Sequence, residues 1–273
     1  MKKILIKIVH FLPISVKSRV KDIPLIKTLQ TYLFNRYLGK EKFNSDISGG
    51  PAKGLVFPVS LPQDKLMWLG TWELEFANYL KSCINSGFVC YDIGGYKGYY
   101  SGIMALSGAK EVYVFEPMPT NAQNIKTLIE LNPTLSIHLN QIAISNRSGI
   151  AEFNLMSEDT MGKLSQSTFQ SDNVSIETQK VECKTLDDLI DSGFPEPDFV
   201  KIDVEGAEEF VLEGGKLFFQ RRKPLLLIEI HSKEIGRRSL NILNNFYQNI
   251  TVFETGNRPG LNESEICHYI CSA

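Results

Sequence analysis

The chain has 273 residues, of which 43% are hydrophobic, and its 29 basic and 31 acidic side chains give a net charge of -2. This length suits one large α/β domain with a terminal extension, and two full domains would be cramped. The near-neutral charge argues against nucleic acid as a partner, because contact with many phosphates requires a surplus of basic residues.

Residues 1–50 are predicted to form a basic, helical N-terminal extension, and residues 51–273 the main domain. The first 42 residues carry ten lysine or arginine side chains against two acidic ones. Lys7 and His10 interrupt the opening apolar run, which fits neither a signal peptide nor a membrane span. A cationic segment with an apolar face could make weak contact with an anionic membrane surface, and the alternative is a helix packed on the domain.

From residue 88 onward, strand patterns alternate with helical patterns. Strands are predicted near 88–93, 111–115, 137–144, 198–203, 225–230, 250–254 and 266–271. Helices are predicted near 97–107, 119–131, 185–191, 206–214 and 235–247, after an earlier one near 72–82. This alternation predicts a mostly parallel seven-stranded sheet with helices on both faces, whose ligands bind at the carboxyl ends of the strands.

The sequence between the third and fourth predicted strands interrupts this alternation. Residues 149–155 have the pattern of an extra strand, and residues 156–173 are polar and rich in Ser, Thr and Gln. A polar insertion of this length is usually functional or disordered. If it is ordered, its position suits a lid over the substrate.

Residues 89–98, with the sequence VCYDIGGYKG, form the most informative segment. An apolar strand ends in Asp92, a glycine turn follows, and a helix then begins. Such a turn lets the backbone approach a ligand closely, next to the unpaired N–H groups of a helix N-terminus. The glycines at 94, 95 and 98 do not fit the dinucleotide pattern GxGxxG, so the segment favours another nucleotide-type cofactor.

Five motifs, taken in order, resemble those of the FkbM family of methyltransferases. They are GTWE at 70–73, YDIG at 91–94, FEPMPTN at 115–121, VKIDVEGAE at 200–208 and LIEI at 227–230. The resemblance implies the Rossmann-like class I methyltransferase fold and S-adenosylmethionine as cofactor. One departure is Gly95-Tyr96, where the family usually has Ala-Asn, so a contact made by that Asn side chain would be lost.

The positions of residues at the strand ends predict how the cofactor is held. Glu116 would bind the two ribose hydroxyls, Pro117 with Met118 would cover the adenine ring, and Gln141 would meet its edge. The alternatives are helix capping for Asp92 and Glu116 and ordinary loop packing for Pro117 and Met118. The predicted cofactor-binding residues are Asp92, Gly94, Gly98, Glu116, Pro117 and Gln141.

Methyl transfer to a hydroxyl group requires an aligned nucleophile and a proton acceptor. The predicted catalytic residues are Asp203, Glu205 and His231, at the carboxyl ends of the fourth and fifth strands. Asp203 is the favoured functional acid, whereas Glu205 could serve only to compensate a helix dipole, and His231 could be structural. Asp203 with Glu229 could hold a divalent cation, but two acids are too few, so no metal is predicted.

These observations predict a cytoplasmic S-adenosylmethionine-dependent O-methyltransferase. Five cysteines without a Cys-x-x-Cys pair argue against a disulfide framework and favour a reducing compartment. The resemblance implies a small-molecule or glycan acceptor, with the hydroxyl on a sugar, a polysaccharide precursor or a natural product. The alternatives are an NAD(P)-dependent oxidoreductase on a related fold, which the glycine spacing disfavours, and a noncatalytic binding module in glycan assembly.

Overall fold

The computed structural model of the protein describes Ser15 and residues 42–155, 162–164, 177–260 and 266–273. The predicted helical extension and its membrane-surface contact therefore lie mostly outside the described residues. The same holds for most of the polar insertion predicted as a lid. Within the described ranges, no helix combines the length and the apolar character that crossing a membrane would require.

The described elements fall into four groups. Those before the central sheet are β1 (Lys42–Asp46), β2 (Val56–Ser60), α1 (Lys65–Leu69) and α2 (Leu74–Cys83). The first half of the sheet comprises β3 (Val89–Ile93), α3 (Tyr99–Leu106), β4 (Glu111–Phe115), α4 (Pro119–Leu131) and β5 (Ile137–Asn140). A smaller sheet comprises β6 (Ala143–Ile144), β7 (Gly149–Leu155), β8 (Gly162–Leu164) and β9 (Glu177–Lys184). The last group is α5 (Leu186–Asp191), β10 (Phe199–Ile202), α6 (Glu208–Gly214), α7 (Lys216–Arg222), β11 (Leu225–Ile230), α8 (Lys233–Leu243), β12 (Asn249–Val252) and β13 (Cys267–Ser272).

The central sheet has seven strands in the order β12-β13-β11-β10-β3-β4-β5. Its parallel pairs join β3, β4, β5, β10 and β11, whereas β13 runs antiparallel to both of its neighbours. The predicted α/β class with a mostly parallel seven-stranded sheet is therefore confirmed. Strand order reverses between β3 and β10, and ligands of open α/β sheets bind beside such a point.

The third predicted strand, 137–144, is divided in two. β5 ends at Asn140, and β6 leaves the central sheet to pair with β9. The predicted extra strand at 149–155 is present as β7, which pairs antiparallel with β9 along its whole length. These strands form a second sheet in the order β6-β9-β7-β8. Along the chain, this sheet is inserted between β5 and β10 of the central sheet.

Both faces of the central sheet are buried. Successive residues of a strand point to opposite faces, and in β10 Phe199 packs in one hydrophobic cluster while Val200 and Ile202 pack in the other. Lys201 shares the face of Phe199 and is the one charged residue of this strand. Burying an ammonium group is costly unless acids surround it, so its position predicts carboxylates at the end of the strand.

The hairpin of β1 and β2 crosses the predicted domain boundary at residue 50. Its two strands pair from Lys42↔Ser60 to Asp46↔Val56. Ile47, Leu55 and Phe57 are almost completely buried in the hydrophobic cluster that covers one face of the central sheet. Residues 42–50 are therefore part of the same packed unit as the sheet.

Candidate functional site

The glycine turn after β3 touches the end of β10. Gly94 has a φ of 84°, and a Cβ atom at this position would lie 1.7 Å from the carbonyl oxygen of Asp203. Only glycine allows both this backbone angle and this approach. The turn and the strand end consequently form one continuous floor, above which a cavity of about 360 Å³ opens.

Glu116, at the end of β4, ties two loops of this cavity together. Its Oε2 atom accepts a hydrogen bond from the backbone N–H of Tyr96 at 2.8 Å, and its Oε1 atom accepts one from Met118 at 2.9 Å. Burial raises the pKa of Glu116 to about 7, although these hydrogen bonds lower it in part. The carboxylate thus stands at the wall of the cavity, where the sequence places a ribose-binding acid.

Not every predicted cofactor residue reaches the cavity. Gly94, Glu116 and Pro117 line it, together with Met118. Gln141 is exposed and does not line the cavity, because the chain leaves the central sheet after Asn140. Beyond β5, the cavity is lined instead by Ala143 and Ile144 of β6.

Asp92 and Gly98 support the turn from below. Asp92 is fully buried, and its Oδ2 atom accepts a hydrogen bond from the Ser101 hydroxyl of α3. Its Oδ1 atom lies 3.7 Å from the Nζ atom of Lys201. Gly98, with a φ of 82°, is the N-cap of α3. Both residues therefore shape the turn without lining the cavity.

Lys201 connects Asp92 to Asp203. Its Nζ atom donates a hydrogen bond to the Oδ2 atom of Asp203 at 3.1 Å. Burial alone would lower the pKa of Lys201, but the carboxylates of Asp203 and Asp92 raise it. Burial alone would likewise raise the pKa of Asp203, but Lys201 and the ring of His231 hold it below its usual value. Asp203 is thus a stable carboxylate at the edge of the cavity.

His231 lies behind the carboxylates rather than in the cavity wall. Its Nδ1 atom is 2.7 Å from Oε1 of the buried Glu208. Its Nε2 atom faces oxygens of Glu205, Asp203 and Glu229 at 3.5, 3.7 and 3.8 Å. Burial alone would lower the pKa of His231, but these acids, Glu208 above all, raise it to about 10. The ring therefore carries a positive charge at neutral pH.

Glu205 reaches the cavity because the backbone reverses after β10. The strand ends at Ile202, and Glu205 has a φ of 50° before Gly206 at 91°. This turn brings Glu205 beside Asp203 in the cavity wall, which strand alternation alone would not do. Burial raises the pKa of Glu205 to about 7, against the opposing effect of His231.

Sequence reasoning missed several side chains of the site. Trp72, Glu73 and Tyr100 also line the cavity, and the GTWE motif was the signal for the first two. His268 of β13 is paired with Glu229 of β11 in the sheet, and its Nε2 atom lies 3.6 Å from Oε2 of Glu229. No local pattern reveals that pairing, because β13 is far from β11 in sequence.

Comparison with protein families gives one match. The sequence profile of the Methyltransferase FkbM domain matches residues 92–253, more than half of the chain. This range contains the glycine turn, Glu116, Asp203 and Glu205 after β10, and Glu229 of β11. No curated protein matches the chain in sequence.

Solved structures give weaker likenesses. Methyltransferase FkbM from Methylobacillus flagellatus KT has a TM-score of 0.47 and 16% identity, covering 71% of this chain and 50% of that one. The chain thus spans about half the length of that protein. Precorrin-6y C5,15-methyltransferase from Geobacter metallireducens GS-15 has a TM-score of 0.45 and 11% identity, covering 73% and 89%. Pyrococcus abyssi tRNA (uracil-54, C5)-methyltransferase, in complex with S-adenosyl-L-homocysteine, has a TM-score of 0.46 and 10% identity. That match covers 86% of this chain and 45% of that one.

Proposed function

Because the chain belongs to the FkbM methyltransferase family, we propose that it methylates a hydroxyl oxygen of a sugar, a polysaccharide precursor or a natural product. Family membership supports a methyltransferase that uses S-adenosylmethionine. The NAD(P)-dependent alternative is thereby set aside. The hydroxyl acceptor and the roles of individual residues are supported by the chemistry of the cavity wall.

The cavity fits the cofactor. Tyr99 lines it, and the buried hydroxyl of this residue has no hydrogen-bond partner among the described residues, an unsatisfied group that a polar ligand atom would pair. We assign the ribose hydroxyls to Glu116 and the adenine ring to Pro117 and Met118. Asp92 and Gly98 act indirectly, by shaping the turn. Bound there, S-adenosylmethionine supplies a methyl group on a positively charged sulfur.

Among the described carboxylates beside β10 and β11, Glu205 is the best-suited proton acceptor. A general base works best when its pKa is close to the working pH, and the pKa of Glu205 is about 7. His231 already carries its proton at that pH, so it holds the carboxylates in place instead of accepting a proton. Asp203, kept ionised by Lys201, would orient the acceptor by accepting a hydrogen bond.

The observation that carries the proposal is the pair Asp203 and Glu205 side by side in the cavity wall, with charged His231 behind them. A hydroxyl oxygen is a weak nucleophile until its proton leaves, so its methylation needs such a carboxylate. A neutral amine already has a free electron pair and needs only alignment. The arrangement therefore favours oxygen as the methylated atom.

The test is methyl transfer to a panel of hexoses, nucleotide sugars and polyhydroxylated macrolides, with product analysis by NMR. A methyl ether is the expected product. Glu205→Gln should lower kcat roughly 100- to 10,000-fold, the usual contribution of a general base, and leave cofactor affinity within about twofold. Glu234→Gln, at a side chain 64% exposed, is the matched control and should retain full activity.

Three results would overturn the proposal. The first is a product methylated on nitrogen or carbon, and the second is full turnover by the Glu205→Gln variant. The third is cofactor binding without turnover of any acceptor in the panel. That outcome would favour the noncatalytic binding module considered from the sequence.

We further propose a cytoplasmic location and residues 51–273 as the methyltransferase domain. All five cysteines are thiols in the structure, which suits a reducing compartment. The β1–β2 hairpin attaches residues 42–50 to this domain. Protease digestion of the full chain should leave a fragment that begins close to residue 42 and still binds the cofactor.

A further inference from the structure

Glu73 has a backbone conformation that its own side chain does not favour. It lies before α2 with a φ of 39° and a ψ of 48°, in the left-handed region. Non-glycine residues in this region are uncommon and usually persist where function requires them. Glu73 is one of the residues that line the cavity, although it precedes the region that the family profile matches.

Tyr100 holds the Glu73 side chain in position. The Tyr100 hydroxyl donates a hydrogen bond to the Oε2 atom of Glu73. The Tyr100 ring packs edge-on against Phe76 of α2, and its centroid lies 4.9 Å from the Nζ atom of Lys201. Glu73 is therefore fixed on the side of the cavity formed by β10 and β11, away from Glu116.

The charge of Glu73 is not balanced locally. Among the described residues, no basic group lies within ion-pair distance of its carboxylate. Burial raises its pKa and so do the nearby carboxylates of Glu229 and Asp203, against the opposing effects of the Tyr100 hydrogen bond and the charge of His268. A strained backbone and like-charged neighbours both reduce stability. The hydrogen bond from Tyr100 offsets only part of these costs, so the stability of the fold alone does not explain a glutamate at this position.

We propose that Glu73 is an acceptor-binding residue, whose carboxylate accepts a hydrogen bond from a second donor next to the hydroxyl that is methylated. The acceptor is then a diol or an amino alcohol rather than an isolated alcohol. This inference rests on the proposed function, because Glu205 takes the reacting hydroxyl. Glu205 would bind the reacting hydroxyl, and Glu73, from a separate segment of the chain, would bind the neighbouring donor.

The test compares Glu73→Asn with Glu75→Asn, a control at an exposed position of α2. Asparagine tolerates the left-handed conformation but is too short to replace the glutamate. Two measurements need no acceptor. The Tm of Glu73→Asn should equal or exceed that of the wild type, and its affinity for S-adenosylmethionine should stay within about twofold. A lower Tm would mean a structural role, and a tenfold weaker cofactor affinity a cofactor role, and either overturns the inference.

The third measurement uses an acceptor methylated in the panel, together with its analogue lacking the neighbouring donor. Glu73→Asn should lower kcat/KM for the full acceptor about 10- to 100-fold, as expected for a lost hydrogen bond to a charged group, mainly through KM. With the analogue, variant and wild type should react at the same rate. An equal loss with both compounds contradicts the inference. If the wild type methylates no hydroxyl, the proposed function fails, and Tm and cofactor affinity still decide whether Glu73 is structural.

Discussion

His231 shows how neighbouring residues change the chemistry that a side chain suggests in the sequence. The ordinary pKa of histidine made it a candidate base. In the structure Glu208, 23 residues away in sequence, binds its Nδ1 atom, and the pKa of His231 rises to about 10. The same contacts favour Glu205 as the base. Sequence reasoning placed Asp203, Glu205 and His231 near one another but could not assign the proton, because the pairings join separate segments.

Glu116 leads to a prediction about pH. Burial raises its pKa to about 7, so the group becomes protonated, and a poorer acceptor for ribose hydroxyls, as pH falls through that value. Affinity for S-adenosylmethionine should therefore fall about tenfold between about pH 8 and about pH 6. Calorimetric titration of the wild type and of Glu116→Gln measures this. The variant should bind more weakly at both values, and an equal pH dependence in the variant would contradict the assignment.

At the level of elements, periodicity predicted the central strands well and the second sheet poorly. β4 and β11 have the predicted bounds, because apolar runs buried on both faces are unmistakable. β9 was not predicted, since its sequence ETQKVECK is polar, although Val181 and Cys183 alternate as one buried face. α7 was also missed. Its seven residues form a short helix whose stability depends on the burial of Phe218 and Phe219.

The contact between the β3 turn and the end of β10 gives a prediction at this scale. Gly94→Ala should destabilise the protein by roughly 3 kcal/mol or more, because Cβ would collide with the Asp203 carbonyl and backbone cannot move aside cheaply. It should also abolish cofactor binding. Gly54→Ala is the control, since Gly54 has a φ of 91° but open space around it, and it should cost only about 1–2 kcal/mol. Chemical denaturation that gives equal losses for both variants would refute the contact.

Considered as a whole, the molecule builds its cavity from two parts of the chain. The carboxyl ends of strands β3, β4, β10 and β11 and the turns after them supply the floor and the carboxylates, within the region that the family profile matches. Residues 63–73 supply a second wall that includes Gln63, Met67 and Trp72. The motifs were sufficient to predict the first part. In the second wall, the GTWE motif indicated Trp72 and Glu73, but Gln63 and Met67 were not predictable, because long-range packing of a segment without a cofactor pattern positions them.

One buried ion pair links these two parts. The Nζ atom of Lys97, in the glycine turn, lies 2.6 Å from Oδ1 of Asp64, and both side chains are at most 5% exposed. Asp64→Asn would leave a buried, unpaired charge and should cost about 3–5 kcal/mol in the free energy of unfolding. Glu209→Gln, which removes the partly exposed pair with Arg238, should cost about 1 kcal/mol or less. Equal losses in urea unfolding would show that the two parts are not coupled through this pair.

The central claim, that Glu205 removes the acceptor proton, is tested most directly by the pH dependence of a single turnover at saturating S-adenosylmethionine. Glu205 must be ionised to act, so the wild-type rate should be low in acid, rise as pH increases through about 7, and then level off. Glu205→Gln should react slowly at every pH. A flat wild-type profile between about pH 5 and about pH 9, or a variant that keeps the wild-type rise, would contradict the account.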